Sequence, residues 1–176
     1  LAALVDAVTF APEPNPRVVV VQAIPKSERS ELAVDLATQA GADEIIAWQA
    51  DRCVAKWDAK KAPKALAKWE AAAIAAAKQS RRDRIPAVSG PLTTPQVAQL
   101  IAGQTAYVLH EEATASIKDV PLEGTVYLLV GPEGGIGAEE LERLGAQSIK
   151  LGPEVLRTAS AAMVALAAIG TRTDRW

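Results

Sequence analysis

Residues 125–137 read TVYLLVGPEGGIG, an apolar run that ends in a loop with four glycines. The run has no polar side, which is typical of an interior strand in a parallel sheet that is covered by helices. Glycine permits positive φ angles and lets the backbone come close to a ligand. Ligands of open α/β sheets bind beyond the carboxyl ends of the strands, so this loop is a candidate binding site.

The rest of the chain alternates between strand and helix patterns. The predicted strands are 17–23, 44–48, 85–88, 105–109, 126–130 and 148–151, and the predicted helices are 27–40, 62–80, 94–101, 139–144 and 158–169. This alternation predicts an α/β domain with a mostly parallel sheet and helices on both faces. Residues 1–16 contain FAPEPNP and predict a linker or the remnant of a preceding domain, and residues 17–176 form the main domain.

Composition excludes several classes of protein. With 176 residues, of which 49% are hydrophobic, the chain can build one sizeable core. The net charge of −2 means that any RNA-binding surface must be a local patch. The lone Cys53 excludes an internal disulfide and a cysteine-based zinc site, and we predict a small core residue there and no metal. No apolar run reaches the roughly 18 residues of a membrane span, so we expect a cytoplasmic protein.

Three loops follow predicted strands in the second half of the chain, at residues 109–111, 131–137 and 151–156. If their strands are parallel neighbours, the loops meet at one edge of the sheet and form a pocket. A tight strand-to-helix connection is the simpler explanation of GPEGG taken alone. The loop lacks both the P-loop pattern and the dinucleotide fingerprint, so we predict a neutral or cationic ligand beside Glu133.

Basic residues cluster in KQSRRDR, residues 78–84. Such a cluster either complements the end of a solvated helix or binds RNA phosphates, and Lys26 and Arg29 could extend it. Arg157 follows the third loop, where its planar guanidinium would suit an anion or a carbonyl group. His110 either accepts a proton or has a structural role.

The last predicted helix, TASAAMVALAAI at 158–169, has almost no polar face. A helix of this kind is buried on nearly all sides. Since it lies at the end of the chain, we predict that a partner subunit covers it.

Several motifs resemble one known family. LLVGPEGGIGAEEL (128–141) and LGPEVLRTASAA (151–162) look like the carboxyl half of the 16S ribosomal RNA (uracil-N3)-methyltransferases, the RsmE family of the SPOUT superfamily. PKSERSELAVDLATQAGADEI (25–45) resembles the first βαβ unit of that family. Gln79, Arg82 and Pro86 in AAKQSRRDRIP match a further family pattern. The resemblance covers residues 17–172.

The resemblance implies a SPOUT-type α/β knot, in which the end of the chain threads through a loop to form a deep trefoil knot. It also implies a homodimer through helix 158–169 and a cofactor, S-adenosylmethionine, held by the three loops. The implied cofactor-binding residues are Leu109, His110, Glu111, Gly131, Glu133, Gly134, Gly135, Leu151, Gly152, Leu156 and Thr158. The implied substrate is a uridine of 16S ribosomal RNA in the small subunit, methylated at N3.

The predicted catalytic residues are Arg157 first and Arg82 second, as cations that stabilise the charge developing on the uracil. The predicted RNA-binding residues are Lys26, Arg29, Lys78, Gln79, Arg81, Arg82 and Arg84. The chain departs from the family at Ala159-Ser160, where members commonly carry Glu-Thr. Members also carry an N-terminal PUA-like barrel, of which residues 1–16 would be at most the exit linker.

Two other functions fit the same residues. A catalytically silent RNA-binding domain could keep this fold without binding the cofactor. A related enzyme of the same fold could instead methylate another ribosomal RNA site or a transfer RNA. Cofactor binding distinguishes the first alternative, and the identity of the methylated nucleotide distinguishes the second.

Overall fold

The strands form where β-branched and apolar residues follow one another. The computed structural model describes residues 3–26 and 29–176. Four consecutive valines, 18–21, build the first strand, and all four are fully buried. The strands in this part of the chain are β1 (Arg17–Ala23), β2 (Glu44–Gln49), β3 (Ala87–Thr93), β4 (Thr105–Leu109), β5 (Thr125–Val130) and β6 (Gln147–Ile149).

The helices begin and end at recognisable local signals. They are α1 (Ser30–Gln39), α2 (Ala62–Gln79), α3 (Thr94–Ile101), α4 (Ala138–Leu144) and α5 (Thr158–Arg172). Pro63 lies in the first turn of α2, where its missing N–H costs nothing. Thr93 and Gln96 form a capping box at the start of α3. Gly145, with φ at +63°, ends α4.

The six strands form one parallel sheet in the order β3-β2-β1-β5-β4-β6. Helix α1 contacts α2 and α5, whereas α3 contacts α4. Because right-handed crossovers fix the side on which each helix lies, these two groups cover opposite faces of the sheet. All strands point the same way, so the sheet has a carboxyl edge, where the strands end, and an amino edge, where they begin.

The two outermost strands differ from their predicted bounds. Strand β3 covers Ala87–Thr93 instead of 85–88, because Ile85 is exposed and the chain stays extended through Gly90 and Pro91. An edge strand tolerates glycine and proline, since only one of its sides pairs with a neighbour. Strand β6 ends at Ile149 instead of residue 151, and Lys150 forms only an isolated bridge with Ser116.

Helix ends differ from the predictions by a few residues. Helix α5 continues to Arg172, three residues past its predicted end, and α4 begins at Ala138 instead of residue 139. The predicted start of α1, Ser27, lies outside the described residues. Residues 3–16 form neither helix nor strand.

Helix α5 returns the chain from the outermost strand β6 to the middle of the sheet. It packs against α1, β1 and β5. At its end, the Arg172 guanidinium donates hydrogen bonds to the carbonyl oxygens of Ile117 and Val120, which belong to the β4–β5 connection. The last helix is therefore fastened both to the core and to a loop that precedes it.

Candidate functional site

The loop between β5 and α4 has the sharp turn that its glycines predict. The amide of Gly135 donates to the carbonyl of Pro132 over 2.9 Å, and Gly135 has φ at +70°. A Cβ at Gly131 would lie 2.7 Å from Ile136, so a larger residue at this position would displace the side chain that closes the loop. The glycines at 131 and 135 are therefore required by the fold of the loop itself.

Three loops meet around one cavity at the carboxyl edge. The cavity has a volume of about 570 Å³, and its wall comes from the ends of β4 and β5 and from the start of α5. The lining residues from these three segments are Leu109 to Glu112, Val130 to Ile136, and Val155 to Ala159 together with Ala161. The pocket predicted from three distant loops is confirmed, because β5, β4 and β6 are parallel neighbours in the sheet.

Most of the predicted cofactor-binding residues line this cavity. They are Leu109, His110, Glu111, Gly131, Glu133, Gly134, Gly135, Leu156 and Thr158. The remaining two, Leu151 and Gly152, line a smaller cavity of about 90 Å³, which shares Leu109, His110 and Leu156 with the larger one. The structure thus brings all eleven residues to one continuous region.

Two of these side chains already have partners within the chain. One carboxylate oxygen of Glu133, Oε1, accepts a hydrogen bond from the amide of Lys26 over 3.0 Å and so ties the β1–α1 loop to the glycine loop. The Nδ1 atom of His110 accepts a hydrogen bond from the amide of Glu112 over 3.3 Å. That contact favours the structural explanation of His110, since it fixes the turn after β4.

Arg157 is the cation most directly placed for chemistry. It precedes the first residue of α5, lines the cavity and is exposed. Among the described residues, no hydrogen bond or ion pair engages its guanidinium. Ser160 donates to the Arg157 carbonyl over 3.1 Å and fixes only the backbone, so the side chain can turn to a ligand in the cavity.

Arg82 does not line this cavity, and its surroundings give no support to the predicted catalytic role. Its guanidinium lies at the amino edge and donates to the carbonyls of Thr38 (2.9 Å) and Ala42 (2.6 Å). It also lies 3.7 Å from a carboxylate oxygen of Asp43. Burial lowers the pKa of Arg82, and the Asp43 charge opposes that effect. The arginine is thus built into the core, which local sequence could not indicate.

The predicted RNA-binding residues divide into two separate groups. Lys26 and Arg29 lie at the carboxyl edge, and Arg29 lines the cavity. Lys78, Gln79, Arg81, Arg82 and Arg84 lie around the other end of α2, at the amino edge. The expectation that Lys26 and Arg29 extend the KQSRRDR cluster is therefore wrong. Arg84 is also engaged, with Glu13 at 2.6 Å and the Ala11 carbonyl at 2.7 Å.

Arg52 is a residue of the site that sequence analysis did not identify. Its side chain comes from the β2–α2 connection, lines the cavity and donates to the Gly134 carbonyl over 3.2 Å. A Cβ at Gly137 would lie 3.1 Å from its guanidinium, so the glycine loop provides the groove in which Arg52 lies. Arg52 lies three residues after the end of β2. Because β2 belongs to the same parallel sheet, this position alone could have indicated that the residue lies at the carboxyl edge.

The neighbouring Asp51 holds the start of α4 in place. Its amide donates to Oε1 of Glu140 over 2.9 Å, and the hydroxyl of Thr94 donates to the same oxygen over 2.6 Å. The indole of Trp48 donates in turn to Thr94 over 3.1 Å. Glu140 is almost fully buried, so this network joins the glycine loop rigidly to β2 and α3.

Cys53, the predicted small core residue, is buried, and so are two tryptophans. Trp48 and Trp69 are fully buried, and Cys53 is 4% exposed. Burial raises the pKa of the Cys53 thiol to about 11, which suits an inert core residue.

The described residues include neither a candidate metal site nor a membrane-spanning helix. There, no group of three or more histidine, cysteine or acidic side chains is arranged to hold a metal ion. No helix within residues 3–26 and 29–176 is both long and apolar enough to cross a membrane.

Similar proteins identify the family. The sequence profile of the RNA methyltransferase domain matches residues 12–170. Ribosomal RNA small subunit methyltransferase E of Mycobacterium bovis is 54% identical over 175 residues, which cover 94% of this chain and 67% of the relative. The protein of the same name from Bacillus subtilis is 33% identical, over 90% of this chain and 67% of its own length.

A solved structure agrees with the sequence comparisons. The structure of ribosomal RNA small subunit methyltransferase E from Neisseria gonorrhoeae, bound to S-adenosyl methionine, superposes with a TM-score of 0.81 at 25% identity. The match covers 89% of this chain and 66% of that one, so this chain spans about two thirds of the relatives it matches. The protein belongs to the RNA methyltransferase family whose curated members are named ribosomal RNA small subunit methyltransferase E.

Proposed function

We propose that this protein transfers a methyl group from S-adenosylmethionine to N3 of a uridine in 16S ribosomal RNA. The observation that carries the proposal is the cavity formed by the three loops, which is lined by nine of the eleven residues that the family resemblance assigned to the cofactor. The names of the relatives support ribosomal RNA of the small subunit as the substrate. A reaction on ribosomal RNA would take place in the cytoplasm.

The residues of the cavity fit S-adenosylmethionine. A volume of about 570 Å³ lies within the range of small-molecule sites. The glycine loop presents backbone atoms to the cavity, and a Cβ at Gly135 would meet no atom within 4 Å, so the space beside it is open. Three carboxylates in the wall, Glu111, Glu112 and Glu133, suit a cationic ligand, and Arg29 suits a ligand carboxylate.

When bound, S-adenosylmethionine supplies an electrophilic methyl group. The role of the protein is to hold the uracil ring so that N3 faces that methyl group, which by itself removes much of the entropic part of the barrier. Uridine N3 carries a proton that must be lost, and the resulting negative charge spreads to the two carbonyl oxygens. We assign the stabilisation of that charge to the Arg157 guanidinium, which lines the cavity and is exposed.

The exposed stripe on α5 supports a homodimer. Met163 and Val164 are 37% and 39% exposed, and Ser160, Ala167, Ala168 and Thr171 continue the same face at helical spacing. An apolar stripe of this kind, with Val155 and Leu156 exposed beside it, suits a second copy of the same surface. We therefore propose that two copies associate through α5, next to both cavities.

We also propose that the chain end forms the trefoil knot of the SPOUT fold. The support is the return of α5 from the outermost strand to the sheet centre and its attachment to the β4–β5 connection by Arg172. A knot of this kind requires the chain end to thread through that loop, and the attachment of Arg172 to the loop is what such threading would bring about.

Mass mapping of 16S ribosomal RNA tests the proposed reaction. Small subunits that lack the modification would be incubated with the protein and S-adenosylmethionine, and we expect one N3-methyluridine. A methyl group on a ribose, another base or transfer RNA would overturn the proposed specificity. Isothermal titration with S-adenosylmethionine is the companion measurement, because a catalytically silent RNA-binding domain would release no heat.

A further inference from the structure

A dense group of lysines surrounds the start of α2. Residues 52–68 contain six basic residues and one acid, in a chain whose net charge is −2. The five lysines are all exposed, and we call them the lysine surface: Lys56, Lys60, Lys61, Lys64 and Lys68. Neither the glycine loop nor the predicted RNA-binding residues include any of them.

The lysine surface begins beside the cavity. The β2–α2 connection folds back on the end of β2, because the Gln49 side chain accepts from the Trp57 amide (2.9 Å) and donates to the Ala55 carbonyl (3.0 Å). Arg52, in this same connection, lines the cavity, and Lys56 reaches the Asp51 carbonyl over 3.4 Å. The lysines therefore continue from the cavity rim onto α2.

The lysines on the helix form one continuous track. Lys61, Lys64 and Lys68 are three and four residues apart, a spacing that places them on one side of α2. With a rise of about 1.5 Å per residue, the track extends roughly 10 Å away from the carboxyl edge. A flexible chain that leaves the cavity could follow it.

Apart from the 3.4 Å hydrogen bond from Lys56 to the Asp51 carbonyl, the described residues give these charges little stabilising role. Their one ion pair among the described residues joins Lys61 to Asp58 over 3.5 Å, with both side chains largely exposed. Such a pair contributes little to stability. The first turn of α2 contains no acidic residue, and lysines at the positive end of a helix are unfavourable. A merely solvated helix face would carry acids at this end.

We propose that the lysine surface binds the sugar-phosphate backbone of the RNA strand whose target base enters the cavity. The inference rests on the proposed function and adds the path of the substrate. Lysine suits the task, because its flexible ammonium group neutralises phosphates without reading the sequence. The KQSRRDR cluster does not serve here, since the 18-residue helix α2 places it roughly 27 Å away.

Matched double variants test the proposal. One is Lys64→Gln with Lys68→Gln, and its control is Lys78→Gln with Arg81→Gln at the far end of the same helix, which removes the same charge. The measurement is the binding of a fluorescein-labelled RNA from the small subunit by anisotropy at several salt concentrations. For the first variant we expect a loss of affinity of roughly tenfold at low salt and a salt slope smaller by about 1 to 2.

The control variant should lose less affinity and less salt slope than the first variant, because its two cations lie roughly 27 Å from the start of α2. The S-adenosylmethionine affinity of both variants should be unchanged. The melting temperature of the first variant should be equal or higher, since one cation leaves the first turn of α2 and a like-charge pair four residues apart is removed. Equal losses in both variants would overturn the proposal, because they would show an effect of net charge alone.

The same experiment separates this inference from the proposed function. Direct RNA binding needs no turnover, so a protein that binds RNA through the lysines without methylating it would contradict only the reaction. Unchanged RNA affinity after Lys64→Gln with Lys68→Gln would contradict the lysine surface only. Polyglutamate is the competitor that tests for a different partner. If it displaced the labelled RNA as effectively as unlabelled RNA does at the same concentration of charge, the lysine surface would bind an acidic protein, and its assignment to RNA would be overturned.

Discussion

The two edges of the sheet both carry arginines, but the surroundings of those arginines differ. At the amino edge, Arg82 and Arg175 converge on Asp43, and the three side chains are 15%, 7% and 9% exposed. At the carboxyl edge, Arg157 and Arg52 are exposed and line a cavity. Arginine thus forms buried ion pairs within the fold at one edge and lines a candidate ligand site at the other.

The difference follows from what each edge must do. Arg175 anchors the chain terminus, donating to the Pro16 and Gly41 carbonyls as well as to Asp43, and the amide of Val18 also donates to Asp43. These contacts satisfy a buried carboxylate completely. At the carboxyl edge, Arg52 donates only to the Gly134 carbonyl, and no partner among the described residues engages the Arg157 guanidinium, so both remain accessible to a ligand. Charge alone therefore does not identify a functional arginine.

The largest expected effect is a loss of folding stability caused by a substitution at the amino edge. Asp43→Ala should lower the free energy of unfolding by about 3–5 kcal/mol, because it leaves two buried guanidinium groups without their counter-ion. Urea unfolding measures the change. Glu44→Ala is the control: its ion pair with Arg17 is 2.6 Å long but partly exposed, so we expect a loss of about 1 kcal/mol or less. Similar losses in both variants would contradict the buried role of Asp43.

The second-largest expected effect is a loss of catalytic rate at the carboxyl edge, with little change in the free energy of unfolding. Arg157→Ala should lower kcat by about 10²-fold, because a cation that stabilises developing charge is lost. The free energy of unfolding should change by no more than about 0.5 kcal/mol, as for an exposed side chain. Methylation kinetics and urea unfolding provide the two measurements.

Arg82→Ala is the matched variant for Arg157→Ala, with the opposite expected pattern. It removes the side-chain donor of the Ala42 carbonyl and one of two donors to the Thr38 carbonyl, and it should lower the free energy of unfolding by about 1–3 kcal/mol. The kcat per folded molecule should stay the same. If Arg82→Ala removed turnover from a fully folded protein, or if Arg157→Ala destabilised the fold, the contrast between the edges would be wrong.

Local sequence was sufficient for the framework of the site. The valine run 18–21 and the apolar run 126–130 indicated interior parallel strands, and parallel strands end at one edge by geometry alone. The convergence of the loops after β4, β5 and β6 follows from that. These predictions held because each depends on the periodicity and composition of a short segment.

Side-chain partners distant in sequence could not be predicted in the same way. The position of the Arg82 side chain is set by Asp43 and by the carbonyl groups of Thr38 and Ala42. The local sequence KQSRRDR does not indicate these distant partners. Arg52 was missed because it lies in a connection that follows β2 and contains no glycine to suggest a binding loop. Edge strand β3 was misplaced because Gly90 and Pro91 suggest a loop unless the strand is known to pair on one side only.

Two glycines with nearly the same φ angle give the smallest expected effect and a direct test of the contrast between the edges. Gly135 in the cavity loop has φ at +70°, and Gly103 in the α3–β4 turn at the amino edge has φ at +71°. An added Cβ would meet no atom within 4 Å at either position. Gly135→Ala and Gly103→Ala should therefore both cost about 1–2 kcal/mol of unfolding free energy, since only backbone strain is introduced.

Their effect on ligand binding should differ. Relief of the strain at residue 135 changes the loop that lines the cavity, and we expect S-adenosylmethionine affinity to fall on the order of tenfold, the equivalent of about 1.4 kcal/mol. Relief at residue 103 changes a turn at the opposite edge, so titration calorimetry should find the original affinity. Because the chemical change and the strain are the same at both positions, a difference in affinity can come only from the edge at which the glycine lies. Equal affinities in the two variants would mean that the glycine loop does not bind the cofactor.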